Sequence, residues 1–222
     1  MDAKRIVPVI ELPSGAALSP VERACRLEME GADGILFRDG ESPSARAGWI
    51  RAAAGALSIP MALEADFHRW AEVEEALAAG VDKVILSGRT AAMDPLLDAA
   101  VRTYGRGRVA VAVRAVPGAP GWRVVLDDEP GGRDALDWMA ELERRGCGEI
   151  VLQAEPEGPA VAGLVQGAAR LALAVLFRSS GDESLAAEAL LHGADGLAYL
   201  AGERSPKQWK EALDGSGLTL RP

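Results

Sequence analysis

One pattern occurs four times in this chain: a helix-like run ends at a glycine, a small residue follows, and a short apolar run comes next. The copies begin at Gly31, Gly80, Gly146 and Gly193, which lie 49, 66 and 47 residues apart. Each interval is long enough for two strand–helix units. Four repeats of two units make eight, the number that closes a ring of parallel strands covered by helices. The pattern therefore predicts a single (β/α)8 TIM barrel with internal quarter and half-barrel repeats.

The composition fits one barrel domain spanning residues 1–222. Apolar residues make up 49% of the chain and aromatic residues only 5%, which suits a core of small aliphatic side chains. With 24 basic and 33 acidic residues the net charge is −9, so nucleic acid and anionic membranes are not expected partners. The sequence contains neither a signal peptide nor a long apolar segment, and we expect a cytoplasmic protein.

No metal ion or cofactor is expected from the cysteines and histidines. Cys25 and Cys147 have no second Cys or His at a ligand spacing, which favours inert thiols. His68 and His192 are isolated as well.

Eight short segments, apolar on both faces, are typical of strands covered by helices. These predicted strands are Arg5–Glu11, Gly34–Arg38, Met61–Glu64, Lys83–Leu86, Val109–Arg114, Glu149–Gln153, Ala172–Phe177 and Gly196–Tyr199. Apolar residues at helical spacing predict helices between them, among them Trp70–Ala79, Pro95–Thr103, Ala135–Arg145 and Ser184–Leu191. Ser19-Pro20 and Asp94-Pro95 predict helix starts. The longest repeat interval holds Pro117–Gly121, Trp122–Leu126 and Pro130–Gly132, which predict a β-excursion after the fifth strand.

Several segments, in this order, carry a resemblance to a known family. They are Ala3–Val7, Ile59-Pro60, Gly80–Val84, Thr90–Pro95, Glu143–Ile150 and Gly193–Asp195. Together they resemble the histidine-biosynthesis barrels, above all the cyclase subunits of imidazole glycerol phosphate synthase. The resemblance extends over nearly the whole chain, and it implies the same barrel fold.

The resemblance also implies an active site in which two aspartates, at the ends of strands one and five, act as general acid and base. Here Glu11 stands at the first position and Arg114 at the second. An arginine keeps its proton at any working pH and does not replace a carboxylate base. Asp39 and Thr90 match further active-site positions of the family.

The resemblance implies two phosphate-binding sites, and the residues of both sites are altered in this chain. Glu64-Ala65-Asp66 replaces a glycine triplet after strand three, and Arg178–Gly181 followed by Asp182 replaces the glycines after strand seven. A carboxylate at a helix start repels phosphate, so we expect weaker phosphate binding at the second site. We expect residual substrate or phosphate contacts from Thr90, Arg178, Ser179, Ser180 and Gly181. The family's long lysine-bearing lid is reduced to residues 12–19 without a lysine.

Four charged replacements come from odd-numbered strands and are expected at one height in the barrel mouth: Glu11, Glu64, Arg114 and Arg178. Two acids and two bases at one level predict an ion-pair ring that plugs the old active site. The alternative is a new pocket for a small zwitterion such as an amino acid, or for a small anion.

At the opposite, N-terminal mouth, Arg5, Lys83 and Glu149 match three of the four charged residues that in this family gate ammonia from a docked glutaminase, and Gly34 replaces the fourth. They are either a remnant of that gate or a structural seal. Two functions stay open. One is a divergent cyclase with weak or lost activity resting on Glu11, Asp39 and Thr90, and the other is a non-catalytic barrel that binds a glutaminase-like partner or a small ligand.

Overall fold

A computed structural model describes residues 3–12, 18–39, 46–93, 95–119, 121–126, 132–202 and 204–222. The strands are β1 Arg5–Leu12, β2 Ile35–Asp39, β3 Met61–Ala65, β4 Lys83–Leu86, β5 Val109–Pro117, β6 Trp122–Val124, β7 Arg133–Asp134, β8 Glu149–Ala154, β9 Ala174–Ser179 and β10 Gly196–Leu200. The helices are α1 Pro20–Met29, α2 Arg46–Ala56, α3 Trp70–Ala79, α4 Gly88–Met93, α5 Leu96–Tyr104, α6 Ala135–Arg144, α7 Val161–Ala168, α8 Glu183–Leu191 and α9 Pro206–Leu213.

Eight of these strands form a closed parallel ring, which confirms the predicted (β/α)8 barrel. The neighbours run in the order β4-β3-β2-β1-β10-β9-β8-β5, and a β4–β5 pairing closes the ring. The predicted excursion is present as well, because β6 pairs antiparallel with the outer end of β5 and β7 pairs with β6. These two extra strands lie outside the ring.

The glycine pattern builds the N-terminal end of the barrel. In each copy the glycine has a positive φ, between 84° and 116°, and ends the preceding helix. In three copies the next polar residue is Asp33, Asp82 or Asp195, whose carboxylate accepts the backbone N–H of Ile6, Met61 or Val175 at 2.7–2.8 Å. The N–H of the same aspartate donates to the carbonyl of the same partner residue. Each aspartate thus fixes its loop to the start of a strand.

The third copy in chain order lacks this carboxylate for a steric reason. Gly148 stands at the equivalent position, and a Cβ there would lie 2.0 Å from the carbonyl oxygen of Arg106. Any side chain is therefore excluded at this loop unless the backbone shifts.

The core has two layers, because successive side chains of each strand alternate between the lumen and the helices. A small cluster fills the lumen and includes Val7, Val9, Leu36, Ile85 and Val151. A larger cluster fills the space between strands and helices, with Trp138 and Trp209 among its bulkiest members. Beyond the small cluster, several lumen-facing positions at each end of the barrel carry charged or polar side chains.

Most predicted strands are correct and continue one to three residues further at their C-terminal ends, so that Asp39 and Ser179 close β2 and β9. The strand predicted from Ala172 begins only at Ala174. The reason is that the N–H of Ala172 donates to Glu143 and its carbonyl accepts from Arg106, so neither joins the ladder. Ser19 starts α1 as predicted, with a reciprocal hydrogen bond to Glu22. Asp94 and lid residues 13–17 lie outside the described residues.

Candidate functional site

The strand register places charged side chains in two rows at the C-terminal mouth. Glu11, Arg38 and Glu64 are register partners on β1, β2 and β3. Across the lumen, Arg114, Gln153 and Arg178 are register partners on β5, β8 and β9. Because register partners on adjacent strands point to the same face of a sheet, each row projects its side chains into the mouth.

A buried ion pair between Glu64 and Arg178 joins the two rows. Two nitrogens of the Arg178 guanidinium donate to the two carboxylate oxygens of Glu64, a bidentate arrangement, and both residues are 8% exposed. Arg38 reaches the same carboxylate at 3.5 Å and also donates to Glu11 at 3.0 Å. The Nε of Arg178 is buried and has no hydrogen-bond partner. The centre of the mouth is therefore tightly paired, with one buried donor left over.

The network continues from Arg178 to the rim. Arg178 donates to Gln153 at 3.5 Å, and Gln153 donates to Glu155 at 2.6 Å. Arg114 lies 3.9 Å from Glu155, and both side chains are about half exposed. The four residues of the predicted ring thus all lie at the mouth, but only Glu64 and Arg178 pair with each other. Glu11 and Arg114 have other partners, and whether the network plugs a former active site stays a prediction.

Two cavities adjoin at this network. One, of about 250 Å³, lies toward β3, β4 and β5 and is lined by Arg38, Glu64, Arg89, Arg114 and Arg178. The other, of about 380 Å³, lies toward β8, β9 and β10 and is lined by residues that include Glu155, Glu157, Ser179 and Ser180. Arg38, Gln153 and Arg178 line both cavities, so their side chains form the partition between them.

The loop after β9 already holds a carboxylate of the chain itself. Glu157 accepts the backbone N–H of Ser180 at 2.7 Å and its hydroxyl at 2.8 Å. The N–H of Gly181 donates to the hydroxyl of Ser179, and Asp182 is the N-cap of α8. Three of the donors predicted to contact a phosphate, the N–H groups of Ser180 and Gly181 and the Ser180 hydroxyl, are thereby occupied by internal acceptors.

Asp39 and Thr90 lie apart from this network. Asp39 is 6% exposed and shares the outward face of β2 with Phe37, whereas its neighbour Arg38 points into the mouth. The hydroxyl of Thr90 donates to the carbonyl of Phe67 at 3.3 Å and accepts from Ser87. Neither residue lines either mouth cavity.

The N-terminal mouth holds the second charged cluster. Glu149 is 3% exposed and binds Arg5 at 2.7 Å and Lys83 in a short contact. Burial, followed by repulsion from Arg5, lowers the pKa of Lys83 from 10.5 to about 8. Burial likewise lowers the pKa of Arg5. The three residues and Gly34 line a cavity of about 320 Å³ that reaches Val151, which also lines the smaller mouth cavity.

Other chemistry has little support in the described part of the chain. No group of three or more His, Cys, Asp and Glu residues there is arranged to hold a metal ion. Cys147 is fully buried, and desolvation raises the pKa of its thiol to about 12. In the same part of the chain, no helix combines the length and apolarity needed to span a bilayer.

The mouth residues that the sequence did not predict include Arg38, Gln153, Glu155 and Glu157. Arg38 and Gln153 did carry a signal, because each is a polar residue at the C-terminal end of an otherwise apolar predicted strand. Glu155 and Glu157 lie beyond the sixth predicted strand, and no local pattern connects them with Arg114 or Ser180.

Comparison with known proteins shows which family this chain is similar to, independently of the geometry described above. The profile of the histidine biosynthesis protein family matches residues 13–158. Three similar curated proteins are each named imidazole glycerol phosphate synthase subunit HisF. The one from Metallosphaera sedula is 31% identical over 170 residues, covering 68% of both chains. The one from Wolinella succinogenes is 30% identical over 87% of this chain and 86% of its own. The one from a Synechococcus species is 29% identical over 100% of this chain and 97% of its own.

Proposed function

Because this chain belongs to the histidine-biosynthesis barrel family, as a divergent member similar to the cyclase subunit HisF, we propose that it is a pseudoenzyme of that group. Its barrel keeps the family scaffold but has lost the lyase and cyclase chemistry that the resemblance implies. The observation that carries the proposal is Arg114, which stands where that chemistry needs a second carboxylate.

Proton transfer is the first requirement that the mouth fails to meet. The family's reaction needs a carboxylate on each side of the substrate, one to give and one to accept a proton. On the β5 side the Arg114 guanidinium faces Glu155 at 3.9 Å. A guanidinium holds its proton far above neutral pH, so it does not serve as the base. On the β1 side Glu11 is engaged by Arg38.

Phosphate binding is the second requirement. The N–H and hydroxyl of Ser180 both donate to Glu157, and Asp182 caps α8 beside them. A phosphate entering this loop must displace one carboxylate and approach another, and both are negatively charged. At the other expected phosphate-binding site, Glu64 lies at the end of β3 and is paired with Arg178 and Arg38.

The N-terminal face supports a second candidate function, binding of a glutaminase-like partner. Arg5 and Lys83, both partly buried, and the buried Glu149 form one cluster around a cavity that opens toward that face. A barrel that retained this face while losing its catalytic mouth would act as a binding subunit. Co-purification with a glutaminase subunit, weakened by Lys83→Glu but not by Arg114→Gln at the opposite mouth, is the expected result.

Complementation tests the principal proposal. The chain, expressed in a histidine auxotroph that lacks its cyclase subunit, is expected to give no growth without histidine, whereas the Wolinella succinogenes relative restores growth. Calorimetric titration with the family's bisphosphate substrate is expected to show no saturable binding. Growth supported by the unaltered chain would refute the proposal.

A gain-of-function variant tests the reason for the loss. Restoring both carboxylate positions with Glu11→Asp and Arg114→Asp, together with Glu157→Ala to release Ser180, is expected to yield measurable cyclase turnover. The same chain with Arg133→Asp in place of Arg114→Asp is the matched control, since Arg133 lies on β7 outside the ring. If this control gained the same turnover, Arg114 would not be the reason for the loss.

A further inference from the structure

The smaller mouth cavity has an unusual lining for a protein of net charge −9. Four of its lining side chains are arginines, Arg38, Arg89, Arg114 and Arg178, and one is a carboxylate, Glu64. Planar guanidinium groups match the geometry of carboxylates through paired N–H donors. The wall of this cavity is therefore chemically suited to an anion.

Two points on the wall have donor capacity to spare. The Nε of Arg178 is buried without a hydrogen-bond partner, and leaving a buried charged donor unpaired costs free energy. Arg114, on β5, contacts Glu155 only at 3.9 Å, and exposed pairs of this kind contribute little. A carboxylate that enters can replace the contact of Arg114, and it reaches Arg178 once that side chain turns its Nε, which has no exposed surface in this structure, toward the cavity.

The separation of these two points favours a ligand with two carboxylates. Arg114 and Arg178 lie on strands separated by β8, and alternate strands of a sheet are about 10 Å apart. The amide of Gln153, which lies between them, is already engaged with Arg178 and Glu155. A ligand bearing one carboxylate reaches one of the two arginines, whereas a short dicarboxylate bridges both.

Size and donor type separate this ligand from a phosphorylated substrate. A cavity of about 250 Å³ is smaller than the pockets of about 300–1,000 Å³ that enclose drug-sized molecules. The neighbouring backbone N–H groups of Ser180 and Gly181, which suit phosphate, already donate to Glu157 and Ser179. The donors facing this cavity are side-chain guanidinium groups instead.

We infer that the cavity between β3, β4 and β5 binds a small dicarboxylate of a few carbon atoms, with one carboxylate at Arg178 and the other at Arg114. The inference rests on the proposed function, since a barrel that still held the family's bisphosphate would use this space for it. Arg114, which cannot act as the base in the family's reaction, is then also the residue that selects a dicarboxylate.

Calorimetry with succinate and butyrate tests this inference on the full chain. The two probes have the same number of carbon atoms and differ in one carboxylate. Succinate is expected to bind in a saturable way, and Arg114→Gln is expected to weaken it about tenfold, as loss of a charged hydrogen bond predicts. Butyrate is expected to bind the unaltered chain about tenfold more weakly than succinate, and to be insensitive to Arg114→Gln.

Matched controls make the result specific. Arg26→Gln removes an equally charged side chain from exposed α1 and is expected to leave succinate binding unchanged. Arg114 is about half exposed, so Arg114→Gln is expected to keep the native circular dichroism spectrum. Equal binding of succinate and butyrate, absence of succinate binding, or an Arg114→Gln variant that binds succinate normally would each overturn the inference. So would tighter binding of inorganic phosphate or of alanine, the probe for a zwitterion.

The auxotroph experiment separates the two proposals. Growth without histidine would refute the loss of cyclase activity whatever succinate does. No growth together with no succinate binding would refute only the dicarboxylate site.

Discussion

The two ends of the barrel contain the same arrangement of charges in different surroundings. At each end a buried carboxylate lies between two cations: Glu149 between Arg5 and Lys83 at the N-terminal end, and Glu64 between Arg178 and Arg38 at the C-terminal end. Around the N-terminal end, aspartates of the repeat tie loops to strand starts through paired backbone hydrogen bonds. Around the C-terminal end, contacts are made by side chains that stand on strand ends and on the loops beyond them.

This difference shows which part of the barrel was free to change. The N-terminal contacts are part of the repeat that closes the ring, so their loss would disturb the fold itself. The C-terminal contacts can be exchanged without changing any strand pairing. The family's scaffold and a mouth built from charged side-chain contacts therefore coexist in one chain.

The largest expected effect is at the N-terminal end. Glu149→Gln leaves Arg5 and Lys83, which are partly buried, without their shared counter-charge, and removing one partner of a buried pair costs about 3–5 kcal/mol. Urea denaturation is expected to show this loss in the free energy of unfolding. Glu211→Gln, on the exposed surface of α9, is the control and should stay within about 0.5 kcal/mol. Equal losses in both variants would contradict a structural role for the N-terminal cluster.

A somewhat smaller effect is expected at the C-terminal end. Glu64→Gln leaves Arg178 without its counter-charge, but Arg38 is about half exposed and turns to water, so we expect a loss of about 3 kcal/mol. Replacing both partners by Glu64→Leu with Arg178→Met is expected to recover most of that loss, because no buried charge remains. Denaturation of the two single variants and the double variant measures the coupling. A double variant less stable than either single one would mean that the pair itself stabilises the mouth.

The pH dependence of stability sharpens the comparison further, because burial at the N-terminal end lowers the pKa of Lys83 to about 8. Between pH 8 and 10.5 the unfolded chain keeps this proton while the folded chain loses it, so the unfolded state binds more protons and stability rises with pH. The expected contribution is up to about 1.4 kcal/mol per pH unit. The Lys83→Met variant should lack this rise, which urea denaturation at pH 8.5 and about 9.5 would reveal. Parallel slopes for the two proteins would mean that Lys83 keeps its proton when folded.

The smallest effect is expected at the rim of the C-terminal mouth. Arg114 and Glu155 are both about half exposed and 3.9 Å apart, so Arg114→Gln should change the free energy of unfolding by less than about 0.5 kcal/mol. Thermal denaturation, with Arg26→Gln as the reference, checks this value. A loss above about 1 kcal/mol would place Arg114 in the structural framework and remove it as a residue available to a ligand.

Local patterns were enough to predict the barrel. The glycine at each repeat ends a helix through its own backbone conformation, and the alternation along each strand follows from pleating, so neither depends on distant contacts. Gly31, Gly80 and Gly193 with their aspartates were visible in the sequence, although the hydrogen bonds of those aspartates were not. The excursion after β5 followed from Pro and Gly spacing for the same local reason.

The candidate site was predicted only in outline. Glu11, Glu64, Arg114 and Arg178 could be assigned to the mouth because each lies at the end of a strand. The partners of Glu11 and Arg114 could not be assigned, because Arg38 and Glu155 depend on the register between strands and on the direction of a loop.

The sequence by itself determined that this chain closes an eight-stranded barrel and that an arginine, Arg114, stands near the end of its fifth strand. Both follow from residue identity and short-range spacing. Only the tertiary structure decided that Glu64 meets Arg178 across the lumen, 114 residues away along the chain, and that Glu157 occupies the donors of Ser180. Such contacts depend on how strands align and where side chains reach, and no local rule in the chain encodes them.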